Sequence, residues 1–385
     1  MYVTDSTSQL AIAATPVESH DDQQLSDGIG IALSGGGYRA MLFHLGSLWR
    51  IRDAGLLEQV ERVSSVSGGS ITAGALALAW PRIDWNDDGK SFRELVAQPI
   101  ISLARKTIDI PSAIIGRIPG LSGSWVRKSY DQILFHGKTL QDLPDSPRFV
   151  FNATSLHSGK LFRCSKPYLA EWTFGRWMQP TTRLSEVVAA SSAFPPVLSP
   201  VTIDVSGFEY RSDKGKGRPP PPSFRLTDGG VYDNLGLETV WKNYRTLFVS
   251  DGGAGFEYQD KPSALLSLQA LRVTFMMQEQ VGMLRMRQMI AGFNAPDDSP
   301  LKRTGFLCSI GTPMAEGRPA NSLPYSASGA RELAATKTAL RGLEERHIQR
   351  LINWGYILAD DRLRSKPEFG QVPAPSDLPY SGAPV

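Results

Sequence analysis

Ser67 stands in the segment Ser65-Val66-Ser67-Gly68-Gly69, between a strand-like run, Arg62 to Ser67, and a small apolar run, Ser70 to Trp80, that reads as a buried helix. A nucleophile held on a sharp strand-to-helix turn needs small residues two before and two after it, because those positions crowd each other. Ser67 has Ser65 and Gly69 there, whereas Ser64 would have Arg62 and Val66, and Ser65 would have Val63. The helix that follows would point its first amides toward charge developing on an attacked carbonyl. The same residues also fit a polar turn in which Ser67 or Ser70 serves as an N-cap.

Upstream, Ser34-Gly35-Gly36-Gly37-Tyr38-Arg39 follows the short apolar run Ile29 to Leu33 and opens a helical pattern. Successive glycines let backbone amides of Gly35, Gly36 and Gly37 turn toward an anion at a helix N-terminus, as an oxyanion needs. Arg39 fits either of two roles, holding this loop or reaching a substrate phosphate. Gly35-x-Gly37-x-x-Ala40 also fits a loose dinucleotide fingerprint, which makes a nucleotide-dependent oxidoreductase the rival reading. The second strand ends in the serine turn and not in an acidic residue suited to a ribose, which favours the hydrolase. No Gly-Lys-Ser/Thr follows, so a Walker A loop is excluded.

A serine nucleophile needs a proton acceptor. Of the five histidines, His44 lies mid-helix, His157 in a loop-like stretch and His347 beside Glu344 and Glu345, and none sits in a strand-end turn. Two aspartates do: Asp228-Gly229-Gly230 and Asp251-Gly252-Gly253 each follow a strand-like run. That position places a carboxylate at the sheet edge where open α/β folds bind ligands. Aspartate can act as base if it is desolvated and in reach of the hydroxyl. Local composition does not separate the two, and each also fits a plain Asp-Gly turn.

The elements that must position these residues alternate: strand, glycine turn, helix, strand, glycine turn, helix within the first 80 residues, which implies a parallel sheet covered by helices. Further strands are expected at Arg148–Thr154, Lys160–Cys164, Phe208–Arg211, Phe224–Thr227 and Thr246–Ser250. Helices are expected at Leu184–Ser192, Ser263–Phe293 and Ala330–Tyr356, and a surface loop at Gly215–Pro222. The 385 residues carry a net charge of +3, with 41% hydrophobic and 21% charged side chains, an ordinary globular balance without the basic blocks of a nucleic-acid binder. Cys164 and Cys308 form neither a disulfide framework nor a zinc spacing. No run reaches the roughly 18 apolar residues of a spanning helix. A cytoplasmic protein meeting any membrane peripherally is the expectation.

Three segments together resemble the patatin-like phospholipases and the related cytosolic phospholipase A enzymes: Ser34 to Met41, Ser65 to Ser70, and Asp228-Gly229-Gly230-Val231-Tyr232-Asp233-Asn234. Asn152-Ala153-Thr154 and Ala190 to Pro195 look like further segments of that family, and the likeness spans about residues 29–240. Ala40 looks more like the cytosolic branch than the plant one. The resemblance implies a three-layer α/β/α fold with a mainly parallel central sheet and a helical C-terminal part. It implies a Ser67–Asp228 dyad without a catalytic histidine, choosing Asp228 over Asp251 because Asn234 follows at the family distance. It implies an oxyanion hole from the glycine loop and an acyl-enzyme route to cleavage of phospholipid or related esters, with no metal and no cofactor. Some bacterial relatives are membrane-degrading antiviral effectors triggered by a cyclic nucleotide, and that activator is part of the expectation.

The expected organisation is a lead-in at 1–27, a catalytic domain at 28–260, a helical part at 261–365 packed on it, and a Pro-rich tail at 366–385. Ile108 to Tyr130, with Ile118, Trp125, Arg127 and Lys128, fits a lid or a buried irregular segment. Met276, Met277, Met283, Met286 and Met289 fit an adaptable acyl groove or, more commonly for such a stripe, a helix core. Two other readings are a Ser67–Asp228–His347 triad and a non-catalytic lipid-binding module.

Overall fold

The computed structural model describes residues 25–108, 121–195, 198–212, 219–253, 255–256, 258–314 and 317–385. Of the loop expected at Gly215–Pro222, residues 215–218 lie outside the described residues, as do 109–120 of the lid expected over Ile108 to Tyr130, whose remainder is a helix, Leu121–Tyr130.

Eleven strands form one sheet. They are β1 (Ser26–Leu33), β2 (Val60–Val66), β3 (Arg148–Ser155), β4 (Leu161–Ser165), β5 (Tyr168–Glu171), β6 (Gly175–Met178), β7 (Val201–Asp204), β8 (Glu209–Arg211), β9 (Ser223–Asp228), β10 (Tyr244–Asp251) and β11 (Thr304–Ser309). The run β11-β10-β1-β2-β3 is parallel throughout. Beyond β3 the sheet turns antiparallel through β4, β5, β6 and β8. Parallel neighbours need long crossovers, which the glycine turns and helices supply; short connections make the second half a meander.

Five helices matter for the site: α1 (Gly37–Asp53), α2 (Gly68–Ala79), α3 (Leu184–Ser191), α4 (Leu266–Phe293) and α5 (Glu345–Arg364). The parallel strands are buried on both faces, as the continuous apolar run at Ile31 to Leu33 requires. Ile31, Leu33, Phe248 and Phe306 join the main core with α1, α2 and α5. On the opposite face, Ala32, Leu247 and Val249 pack with Val240, Trp241 and Met289 of α4. The result is three layers, the α/β/α arrangement that the alternating elements imply. The helical C-terminal part contributes β11 to the sheet as well.

α1 is held rigidly. A Cβ on Gly46 would lie 1.8 Å from the Ile352 carbonyl oxygen, and one on Gly355 2.0 Å from that of Phe43, so the two helices cross backbone to backbone. A buried ion pair, Arg50 to Asp360 at 2.8 Å, ties the same crossing. The helix expected over Ala330–Tyr356 is two helices, Ala327–Ala334 and α5. The stretch between them is claimed by tertiary hydrogen bonds: Tyr38 N donates to Ala339 O, Ile108 N to Leu340 O and Leu343 N to Ala104 O. The Pro-rich tail is packed, with Asn353 Nδ2 donating to the carbonyls of Tyr380 and Ala383 and Ser326 N to that of Val385.

Candidate active site

β2 ends where its residue Val66 pairs with Asn152 of β3. β9 runs the other way and ends where Asp228 pairs with Ala153, the next residue of β3. β4 holds the other edge of β3 over residues 151–154. The two strands therefore meet end to end along one edge of β3, with Ser67 just past one tip and Asp228 at the other. Gly229 lies in this junction, where a Cβ would come 2.3 Å from the Asn152 carbonyl oxygen and 3.2 Å from Val66 Cγ1. Its φ of −60° suits any residue, so the demand is for space alone. Gly229→Ala should lower stability by roughly 2–4 kcal/mol through backbone displacement. An unchanged thermal midpoint would show that the junction is looser than described.

Ser67 has φ 51° and ψ −118°, a left-handed backbone that is rare and costly for a residue with a Cβ. It occupies the N-cap position of α2 without a side-chain capping bond, so the capping role is unfilled. Hydroxyls beneath the turn fix it: Ser67 N donates to Ser191 Oγ at 3.1 Å, and Ser191 Oγ donates to Asn152 O at 2.6 Å. Ser70 Oγ bonds Ser65 Oγ at 3.0 Å and Ser191 Oγ at 2.8 Å. Asn152 Nδ2 donates to Ser64 Oγ and to Ser65 O. The small residue at position 65 is thus also a polar strut. Sequence reasoning missed this lattice; its signal was the density of serines at both segments.

Asp228 is 2% exposed. Its Oδ1 accepts from Gly230 N at 2.7 Å, while its Oδ2 is buried without a hydrogen-bond donor among the described residues. Burial pushes the carboxyl up to about 6; the Gly230 amide and the neighbouring Ser67 hydroxyl pull the other way. Ser67 is therefore a hydrogen-bonding neighbour of the Asp228 carboxyl, the arrangement that a general base needs. Asp251 differs. Its Oδ1 accepts from Gly253 N at 2.9 Å and its Oδ2 from Ser309 Oγ at 3.0 Å, so both oxygens are engaged, one by its own turn and one by β11.

The glycine loop lies against Ser67: a Cβ on Gly35 would be 2.4 Å from Asn234 Oδ1 and 3.2 Å from Ser67 Cβ. Gly36 and Gly37 have φ of 141° and 61°. Among the described residues their amides have no acceptor, whereas Gly35 N donates to Asn234 O at 3.0 Å. Arg39 is buried, with Nε donating to Gly252 O at 2.8 Å, one terminal nitrogen to Thr338 Oγ1 at 3.0 Å and the other to Thr336 O. Burial lowers it to about 10, opposed by Asp251. These bonds hold the loop to the C-terminal segment.

None of the described histidines lines the cavity above Ser67. His44 is buried between Ser250 Oγ and Ser34 O, and burial lowers it to about 4. His157 Nε2 accepts from Arg225 N, and His347 pairs with Thr336 Oγ1. The cavity measures about 1150 Å³, with Ser67, Asp228 and Gly36 at its base and Phe194, Phe275, Met276, Met283 and Met286 among its walls. Of the methionine stripe, Met289 is core, Met277 is exposed, and the other three face the cavity.

This sheet order, with its elbow and its mainly parallel centre, is the α/β fold of the patatin and cytosolic phospholipase type. A family model for patatin-like phospholipases matches residues 31–241, more than half of the chain, and the chain belongs to that family. The family is one of lipid acyl hydrolases. Among solved structures, human GIVD cytosolic phospholipase A2 is similar with a TM-score of 0.53 at 13% identity, covering 88% of this chain and 62% of that one. Its complex with methyl γ-linolenyl fluorophosphonate gives 0.49 at 15% identity, covering 88% and 58%. VipD from Legionella pneumophila gives 0.37 at 15%, covering 88% and 67%. The chain thus spans under two thirds of the human enzyme's length. No curated protein sequence matches it.

Proposed function

We propose that the protein hydrolyses carboxylic esters of phospholipids or related lipids through a Ser67–Asp228 dyad. The observation that carries this is the end-to-end meeting of β2 and β9, which leaves an undonated, desolvated Asp228 oxygen beside a strained serine. Asp228 takes the proton of Ser67 as Oγ attacks the ester carbonyl carbon. The amides of Gly36 and Gly37 hold the oxyanion, each such donor being worth about 3–4 kcal/mol in the transition state. Collapse expels the alcohol, which leaves with the proton from Asp228. Water, deprotonated by Asp228, then attacks the acyl-enzyme and restores Ser67.

Carboxylates are weak bases at neutral pH, and burial raises this one toward the working range without a histidine. The large apolar walls suit acyl chains. The dinucleotide alternative loses ground, because the glycine loop abuts the serine turn, a Cβ on Gly35 lying 3.2 Å from Ser67 Cβ. A fluorophosphonate probe should label wild-type protein at Ser67 and leave Ser67→Ala unlabelled. His347→Ala should retain short-chain esterase activity within about twofold, as expected for a side chain outside the cavity. Loss of activity in that variant would reinstate the triad, and equal labelling of Ser67→Ala would remove the nucleophile.

A further inference from the structure

We infer that the outward face of α4 is a docking surface for a lipid bilayer. The helix has 28 residues, yet only Arg285, Met289 and Gly292 are buried, all in its last third. Arg285 anchors that end through Glu238 at 2.9 Å and Asp233 at 3.4 Å, and Gly292 lets Trp241 pack against the backbone. The preceding turns wall the cavity on their inner side, Phe275 stacking on Phe194 at 5.3 Å, and are otherwise exposed. Leu266, Ala270, Met277, Val281 and Leu284 recur at helical spacing along one face. Leu266, Met277 and Leu284 are 80%, 65% and 60% exposed. Over about 27 Å this face carries no charge, because Arg272 and Glu279 line the cavity. Leu265 and Tyr258, at 62% and 83%, extend the apolar surface.

An exposed stripe of this size marks an interaction site. The occupant follows from the opposite face of the same helix, where Leu268, Phe275, Met283 and Met286 line the cavity that ends at Ser67. The bilayer is favoured because the helix that exposes an uncharged apolar stripe outward also contributes apolar walls to a cavity suited to acyl chains, so a lipid surface on the stripe lies one helix away from the proposed acyl site. Among the described residues no helix is long and apolar enough to cross a membrane, so the contact is peripheral. The inference rests on the proposed lipid substrate for its occupant, not for the existence of the face.

The test compares wild type, Ser67→Ala, and the triple variant Leu266→Asp/Met277→Asp/Leu284→Asp. Flotation uses vesicles of phosphatidylcholine and phosphatidylglycerol in equal parts, with p-nitrophenyl butyrate as soluble substrate and thermal melts as the check on folding. Wild type and Ser67→Ala should float equally. The triple variant should lose flotation and vesicle hydrolysis by at least about tenfold while cleaving the soluble ester within about twofold of wild type. Wild-type protein that stays with the soluble fraction overturns the inference, as does a triple variant that floats like wild type. A wild-type dimer that the triple variant converts to monomer also overturns it, assigning the face to a second copy. Flotation without any hydrolysis upholds the surface and instead sinks the catalytic reading.

Discussion

Asp228→Asn will abolish ester hydrolysis and at the same time make the fold more stable at neutral pH. The buried carboxyl titrates at about 6 in the fold, against 3.8 when exposed. Between those values the folded chain holds a proton that the unfolded chain has released. Stability therefore falls as pH rises through this window, and above pH 6 the full penalty is in place. The gap corresponds to about 3 kcal/mol. Asparagine escapes that penalty and can still accept from Gly230 N. The gain in Asp228→Asn should be largest at pH 7 to 8 and vanish below about pH 4. Asp251 is raised by burial too, but contributes equally to both proteins and cancels in the difference. Activity of the wild type runs opposite to stability: kcat/KM should fall about tenfold per pH unit below 6 as the base protonates. Paired denaturant melts across pH measure the first effect and a soluble-ester pH profile the second. A variant no more stable than wild type at pH 8 would mean that Asp228 is not held as a desolvated base.

The second large effect concerns the serine itself. Ser67→Ala and Ser67→Gly should both lose activity by on the order of 10⁴-fold or more, since each removes the proposed nucleophile. Their stabilities should separate in glycine's favour. Glycine already outranks alanine at an ordinary N-cap, and the backbone of this one widens the gap. Here φ is 51° with ψ −118°, so any Cβ carries strain. Ser67→Gly should exceed Ser67→Ala by roughly 1–2 kcal/mol. Chemical denaturation of the two variants decides it; equal midpoints would mean that the elbow stores no strain.

Much of the site could be read from local chemistry. Crowding rules singled out Ser67 from Ser64 and Ser65, and glycine at 35, 36 and 37 announced a turn, in which Gly36 and Gly37 take positive φ. Those are constraints between residues close in the chain. The choice between Asp228 and Asp251 was not of that kind. Both end strands and both precede two glycines; they differ because β9 alone ends against β3 next to β2, a pairing between distant segments. The antiparallel half of the sheet was partly hidden for the same reason, since short strands such as Tyr168–Glu171 carry little periodicity. The break between residues 334 and 345 was invisible because Ala339 and Leu340 give up helical bonds to serve Tyr38 and Ile108. α4 was readable as a helix but not as an exposed one: nothing in an apolar stripe says whether a partner covers it.

The meeting of β2 and β9 on β3 also bears on when the proposed activity can arise. A chain still emerging during synthesis can present the elbow and the glycine loop long before residue 228 exists. On the proposed mechanism it has a nucleophile with no base, and it gains one only when β9 arrives to extend β3 past the tip of β2. On the same mechanism, proteolytic fragments ending before Ser223 would be inert, and activity would be tied to completion of the sheet, a folding checkpoint written into the order of the strands.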